Sequence, residues 1–314
     1  MHRDTIIVRL PNWLGDIVMC LPFLERLLEK EANHRFYFIV KSQYQEIFKI
    51  KILSAKIIIF DKKEYESIWG LLKFRKTFPE LINASSYYTL APSFSSALMG
   101  RILGVKRIIG HNTDYRSLLL HVKINLNRSE HRIQQYFDLI SEKFENLVIQ
   151  PELKCDPIIG NRYIVLNVNS EASSRRLPNV EWAKVIERIP TTHKLVFIGH
   201  EKDGDHVKST LNFLDLGIDR YVDLSGKTNL VELANVLKYA DAVVSNDSGP
   251  AHLAAILGTS VSVFFGAGNR LETGPFGKQV RIYSKSIHCS PCLKNICRYK
   301  NVDCLRDIEP INLK

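Results

Sequence analysis

Two kinds of apolar pattern alternate along this chain, and their order predicts the fold. Short runs rich in Ile, Val and aromatic residues, of strand length, fall at residues 5–10, 36–40, 57–60, 87–90 and 106–110. Among them, apolar residues spaced three and four apart predict helices at about 16–30, 65–76 and 95–103. A further helical stretch at 132–144 leads into a segment carrying Pro151 and Pro157, after which the alternation starts afresh. The second series has strands at 163–168, 195–198, 242–245 and 261–265, and helices at 181–189, 230–239 and 249–257. Strand then helix, repeated, is the signature of a parallel sheet covered on both faces. The expectation is α/β: two doubly wound, Rossmann-like domains, residues 1–155 and 156–314, facing a central cleft. Such sheets bind ligands beyond the carboxyl ends of their strands.

Composition narrows this without changing it. In 314 residues, 45% hydrophobic and 24% charged are ordinary globular values, enough for two cores and unlike disordered or fibrous chains. No apolar run approaches the roughly 20 residues of a membrane span. Asn12 and Asp16 interrupt the apolar stretch near the N-terminus, and no small-residue cleavage site follows, so a cytoplasmic location is expected. The net charge of +10 is uneven: residues 1–150 hold 22 Lys and Arg against 15 Asp and Glu, the remainder 21 against 18. A basic first half suits an anionic partner or the negative inner-leaflet surface, and equally serves solubility. The blocks Lys62-Lys63 and Arg75-Lys76 lack the aromatic interleaving of a nucleic-acid platform, so no nucleic-acid partner is expected. Neither a Gly-x-Gly-x-x-Gly turn after Leu10 nor a Walker A motif is present.

Three motifs stand at predicted strand ends. Arg9-Leu10-Pro11-Asn12-Trp13-Leu14-Gly15-Asp16 carries a strand through a Gly turn to a carboxylate at a helix start. Asp16 is either a cap of that helix or a working group at the mouth of the sheet. Ser245-Asn246-Asp247-Ser248-Gly249-Pro250-Ala251-His252 ends a strand at a helix N-terminus, where free N–H groups and the positive dipole end favour an anion. Asp247 and Ser248 also suit plain caps, and His252 a packed first-turn residue. Ser173-Ser174-Arg175-Arg176-Leu177-Pro178 places hydroxyls and guanidiniums in a loop that fits phosphate or simply faces solvent.

Together these residues carry a resemblance. Pro11-Asn12-Trp13-Leu14-Gly15-Asp16 followed by Val18-Met19, Asn246-Asp247-Ser248-Gly249-Pro250-Ala251-His252-Leu253-Ala254-Ala255, and Phe265-Gly266 ahead of Thr273-Gly274-Pro275 resemble the lipopolysaccharide heptosyltransferases of glycosyltransferase family 9, particularly the heptosyltransferase II branch. The resemblance implies a GT-B fold and an inverting transferase. It implies an ADP-heptose donor held mainly by the second domain and a heptosyl-Kdo-lipid A acceptor held by the first, at the inner face of the cytoplasmic membrane. By motif, Asp16 resembles the catalytic base, with Asn12, Trp13 and Gly15 on the acceptor side. Asp247, Ser248, Gly249 and His252 match the donor-binding turn. Arg175, beside Ser174, stands where a Lys usually meets the diphosphate, and Glu201 and Asp203 fall near the nucleotide-ribose contact. The chain departs from the family at Asn169-Ser170, at Arg175-Arg176-Leu177-Pro178 and at Gly266-Ala267-Gly268-Asn269-Arg270, all in the donor half.

Four of the six cysteines crowd into one segment, Cys289-x2-Cys292-x4-Cys297-x6-Cys304. This spacing suits a four-thiolate structural zinc site, free thiols or, less in keeping with a reducing compartment, disulfides. A similar Cys-Ser-Pro-Cys segment occurs in many heptosyltransferase II relatives, and the family's chemistry requires no metal cofactor. Cys20 and Cys155 read as ordinary thiols. Two alternatives to the leading reading remain open at this level. One is a GT-B transferase using another nucleotide sugar; the other, from a different class, is a zinc-stabilised anion-binding module whose carboxylates are only caps.

Overall fold

The computed structural model describes residues 4–51, 53–113, 115–145, 157–160 and 162–308. The chain divides into two compact units, Met1–Ile149 and Gln150–Lys314. The boundary expected at residue 155, and Cys155 itself, lie outside the described residues.

The first unit is one parallel sheet of six strands: β1 (Thr5–Arg9), β2 (Arg35–Lys41), β3 (Lys56–Phe60), β4 (Ser86–Thr89), β5 (Arg107–His111) and β6 (Val122–Ile124). Their order is β3-β2-β1-β4-β5-β6, every pair parallel. The chain winds outward from β1 to β3 and then resumes on the other side at β4. The reversal falls between β1 and β4, where the loops leaving two neighbouring strands diverge and open a crevice. Helix Leu14–Lys30 leaves β1 at that point and buries Ile17, Val18, Leu21, Leu24 and Leu27. On the other face, Ile7, Tyr37, Ile39, Tyr87 and Ile108 pack with Leu71, Phe74 and Leu103 from the helices. Burial of each such side chain contributes about 1.5–3 kcal/mol, so the strand ends rest on a stiff base.

The second unit repeats the plan with β7 (Tyr163–Asn167), β8 (Lys194–Phe197), β9 (Tyr221–Asp223), β10 (Ala242–Asn246), β11 (Val261–Phe265) and β12 (Val280–Ser284). The order is β12-β11-β10-β7-β8-β9, again all parallel, with the reversal between β7 and β10. Trp182, Val185 and Ile186 of helix Asn179–Ile186 pack with Leu166, Phe197, Val244 and Phe264. Trp182 meets Phe264 edge to face, ring centroids 6.2 Å apart.

The α/β expectation holds in both units, and the differences have physical causes. Three of the four edge strands, β6, β9 and β12, are absent from the apolar reading because they keep polar and half-exposed positions, whereas the fourth, β3, carries the apolar run Ile57-Ile58-Ile59-Phe60 and was read. Helix Gly204–Leu214 is also missed: only Val207, Thr210 and Leu211 of it are buried. The stretch expected as one helix at 65–76 is two, Lys62–Tyr65 and Ile68–Thr77, because Ser67 accepts a cap bond from Gly70 N at 3.0 Å. The expected 132–144 helix closes at Asp138, and the following chain folds back so that Gln134 accepts from Phe144 N at 2.8 Å. Among the described residues no helix is long and apolar enough to cross a membrane.

Candidate functional site

In the first unit the chemistry gathers where β1 ends. The N-cap of helix Leu14–Lys30 is Trp13, in extended conformation and making no side-chain cap bond. Gly15 therefore lies inside the first helical turn rather than in a turn before it, and Asp16 is a first-turn residue, not the cap. Its Oδ1 stands 3.8 Å from Nη1 of Arg132, and both side chains are about one-quarter exposed (24% each). Asn12 is held from behind: its Oδ1 accepts from Arg9 Nη2 at 3.2 Å, and its carbonyl accepts from Lys41 Nζ at 3.4 Å. The Lys41 ammonium also stands over the Trp13 ring, 5.6 Å from its centroid. Arg9 is buried, donates to the Leu10 and Ile39 carbonyls and lies over the Phe60 ring. Burial pushes its guanidinium down to about 10, which still leaves it a cation at neutral pH.

Arg132 and His111 are functional candidates that the sequence reading passes over. Arg132 opens helix Arg132–Asp138, whose cap is His131. A cation in the first turn opposes the helix dipole, and this is the signal that could have marked it as placed for something other than helix stability. His111 ends β5 and is buried. Burial pushes its imidazole down to about 4; a hydrogen bond at Gln135 opposes this, and the Arg116 and Arg132 charges reinforce it. Below the site, Cys20 is fully buried, and burial followed by the Asp16 charge holds its thiol well above the ordinary range. It is an inert packing group, as expected.

The second unit builds its site at the β7/β10 reversal, and here the strand-end side chains bond one another. Asn167, ending β7, donates to Ser245 Oγ at 2.9 Å and Ser248 Oγ at 2.6 Å. Asn246, ending β10, donates to the Val168 carbonyl at 2.7 Å and accepts from Leu177 N at 3.0 Å. Ser170 Oγ donates to the Asp247 carbonyl at 3.0 Å, while Arg176 Nε donates to the Ser170 carbonyl at 2.8 Å. These bonds tie the loop after β7 to the turn after β10. Inside the tie, Arg175 Nη1 lies 3.1 Å from Oδ2 of Asp247, a carboxylate only 4% exposed. Arg175 Nε is buried with no hydrogen-bond partner among the described residues. Helix Gly249–Ile256 starts beside them with Ser248 as its N-cap and no side-chain cap bond. A guanidinium with a spare donor and an uncapped helix N-terminus form a receptor for a phosphate-like anion.

Gly268 completes this geometry. A Cβ there would stand 2.1 Å from Asp247 Oδ2, so a side chain at 268 would evict the carboxylate that aims Arg175. The departure at Gly266-Ala267-Gly268 and the Arg175–Asp247 pair thus belong to one local solution. His252 is buried in the first turns of the same helix.

Other expected residues fall differently. Ser174 hydrogen-bonds the Lys294 carbonyl through its Oγ and the Asn295 carbonyl through its N–H at 3.2 Å, which makes it scaffold. Asp203 closes a capping box by accepting from His200 N at 3.1 Å, and Glu201 is exposed after β8. Among the described residues no hydrogen bond or ion pair links either carboxylate to the Arg175–Asp247 group.

The cysteine segment has an unforeseen role. Besides the contacts to Ser174, Ser290 Oγ donates to the Gly266 carbonyl at 2.6 Å and Leu293 N to the Ala267 carbonyl at 2.9 Å. The segment therefore clamps both loops that frame Arg175 and Asp247. Cys304 is buried with Leu305 against Gly266, where a Cβ would come within 2.7 Å of its sulfur. Burial, with the nearby Cys289, Cys292 and Cys297, pushes its thiol up to about 11. Cys289, Cys292, Cys297 and Cys304 are all free thiols. Among the described residues no group of three or more Cys, His, Asp or Glu side chains is arranged to hold a metal ion.

Known proteins match this arrangement along most of its length. Residues 83–303 match the profile of Glycosyltransferase family 9 (heptosyltransferase). Lipooligosaccharide heptosyltransferase 2 of Campylobacter jejuni is similar at 25% identity, over 97% of this chain and 94% of that protein. Among solved structures, E. coli ADP-heptose LPS heptosyltransferase II superposes with a TM-score of 0.75 at 19% identity, covering 90% of this chain and 91% of that one. The E. coli heptosyltransferase WaaC with ADP superposes with a TM-score of 0.69 at 18% identity, covering 88% and 92%.

Proposed function

The chain belongs to glycosyltransferase family 9, the heptosyltransferases, with their GT-B architecture, and from that premise we propose that it moves heptose from ADP-heptose onto the heptosyl-Kdo-lipid A inner core, inverting the anomeric centre. At the coarser level it is a glycosyltransferase enzyme, a heptosyltransferase of lipopolysaccharide core biosynthesis. The observation that supports a nucleoside-diphosphate sugar as donor is the anion receptor of the second unit, Arg175 with its spare buried donor beside the uncapped helix N-terminus at Gly249; the choice of adenine and heptose follows from the family.

In this reading Asp16 takes the proton of an acceptor hydroxyl while that oxygen bonds to the anomeric carbon of the heptose. The bond from that carbon to the diphosphate oxygen breaks on the opposite face, and ADP leaves with the electron pair. Negative charge grows on the diphosphate as the bond stretches. Donors fixed in advance at Arg175 and Gly249 stabilise that charge most in the transition state. Arg132 holds the Asp16 carboxylate in place beside the reacting hydroxyl. No step calls for a metal cofactor.

Phosphate contacts do not choose a base, since every nucleotide sugar carries the same diphosphate. Titration calorimetry with ADP, UDP and GDP tests the donor: ADP is expected to bind tightest, and intact ADP-heptose tighter than ADP. Tighter binding of UDP or GDP would replace ADP-heptose by another nucleotide sugar.

A further inference from the structure

Helix Ile68–Thr77 is apolar on two opposite faces. One face buries Gly70, Leu71 and Phe74 in the first-unit core. The other presents Ile68, Trp69 and Leu72 to solvent, with Trp69 81% and Ile68 61% exposed. Positions 68, 69 and 72 share one face at helical spacing, and Lys76 follows Leu72 by one turn on that same face. An exposed Trp-Ile-Leu face on a helix end calls for an occupant.

The surrounding charge says which kind. Residues 61–77 hold five Lys and Arg against three Asp and Glu. Lys62 and Lys73 are paired with Glu66 and Glu64. Lys63 and Lys76 are exposed and have no ion pair among the described residues; Lys76 lies on the apolar face itself and Lys63 precedes Ile68 by five residues. A Trp anchor with aliphatic neighbours and a collar of long cationic side chains is the chemistry of an anionic lipid interface: the ring sits at headgroup level and the lysines reach phosphates.

Topology puts this face at the working edge of the sheet. The helix follows the carboxyl end of β3, the edge from which Asp16 also emerges after β1. Lys62 is near enough to depress Lys41, after burial and Arg9, and Lys41 stands over Trp13. A further exposed apolar residue, Tyr115 (91%), follows the carboxyl end of β5 at that edge.

We propose that the Ile68–Trp69–Leu72 face, with Lys63 and Lys76, is the surface by which this protein docks on an anionic lipid bilayer, setting the Asp16 edge of the first unit at the headgroups. Its use, to present Asp16 to a lipid-anchored acceptor, rests on the transferase reading above; the docking itself does not. Binding is interfacial and reversible, and each freed lysine strengthens it about fivefold on an anionic surface.

The test is cosedimentation of the purified full chain, without donor or acceptor, with vesicles of phosphatidylethanolamine and phosphatidylglycerol and, separately, of phosphatidylcholine. The wild type is expected to partition onto the anionic vesicles and little onto the neutral ones. The double variant Ile68→Ser/Trp69→Ser should lose partitioning by about tenfold or more, and Lys63→Glu/Lys76→Glu should lose the preference for anionic lipid. Thermal melts of both variants are expected to match the wild type, since the substituted side chains face solvent. Equal partitioning of variants and wild type overturns the proposal, as does no partitioning of a folded wild type. Concentration-dependent dimerisation abolished by Ile68→Ser/Trp69→Ser, without vesicle binding, also overturns it and makes the face a self-association surface. Turnover on a water-soluble, deacylated acceptor separates the two readings: Ile68→Ser/Trp69→Ser is expected to keep it. Loss of that turnover would place the face in the acceptor site and overturn docking, whereas absence of turnover in the wild type would count against the transferase reading alone.

Discussion

The two units share one architecture and put opposite kinds of site at its reversal point. After β1, Asp16 and Arg132 are a loose pair, 3.8 Å apart, each one-quarter open to solvent. After β10, Asp247 is sealed off, paired with Arg175 at 3.1 Å and framed by loops that Asn167, Ser170 and Asn246 lock together. Under the proposed function, a group that exchanges a proton with a substrate hydroxyl has to remain accessible. A group that holds a diphosphate gains from being fixed, because donors already in position need no reorganisation when charge develops. The same fold therefore supports one open site and one rigid site, and the difference lies in how many strand-end side chains bond to each other.

The two carboxylates differ in kind, Asp247 being 4% exposed and Asp16 24%, whereas Arg175 and Arg132 are comparably open at 31% and 24%. Arg175→Ala removes the ion pair of a buried carboxylate and is expected to cost up to about 3 kcal/mol of stability, lowering the melting temperature by several degrees. The same variant should weaken ADP-sugar binding about tenfold, leaving acceptor binding unchanged. Calorimetric scanning and titration read both effects, and equal weakening for donor and acceptor would remove Arg175 from the diphosphate. Asp16→Asn is next: turnover should fall roughly 100-fold or more while stability and ADP affinity stay near wild type. Retained turnover would make Asp16 a structural residue of its helix.

The pH response sharpens the comparison from the first-unit side. His111 is held neutral, with its value down at about 4 against an ordinary 6.5. The unfolded chain therefore takes up a proton near 6.5 that the folded one refuses until about 4, so this contribution is complete above 6.5 and is lost as pH falls through that window. The expected slope is about 1 kcal/mol per pH unit. Melting curves of wild type and His111→Gln between pH 7 and 4.5 should diverge accordingly; parallel curves would show that His111 is not shielded. The smallest effect belongs to Arg132→Ala. Its loose, one-quarter-open pair should contribute under about 1 kcal/mol to stability, with turnover reduced only a few-fold. A stability loss as large as that of Arg175→Ala would erase the distinction between the two sites.

Alternating β-branched runs and amphipathic stretches determined the fold class, the eight inner strands and one edge strand, β3. Inner parallel strands are buried on both faces and so must be continuously apolar, a constraint written into residues such as Ile6-Ile7-Val8 and Val261-Ser262-Val263. The placement of Asp16, Arg175, Asp247 and Gly249 at strand ends was legible for the same reason, since a motif directly after an apolar run can only lie at the sheet's edge. Tertiary structure alone decided what those residues touch. Arg132 meets Asp16, and Asp247 meets Arg175, across separations of 116 and 72 positions. The cysteine segment clamps the loops at 173–174 and 266–267 from over a hundred residues and some twenty residues away, respectively. Periodicity records only which side of an element faces apolar neighbours; which polar atoms converge depends on strand order, and a one-dimensional pattern does not encode which strand lies beside which.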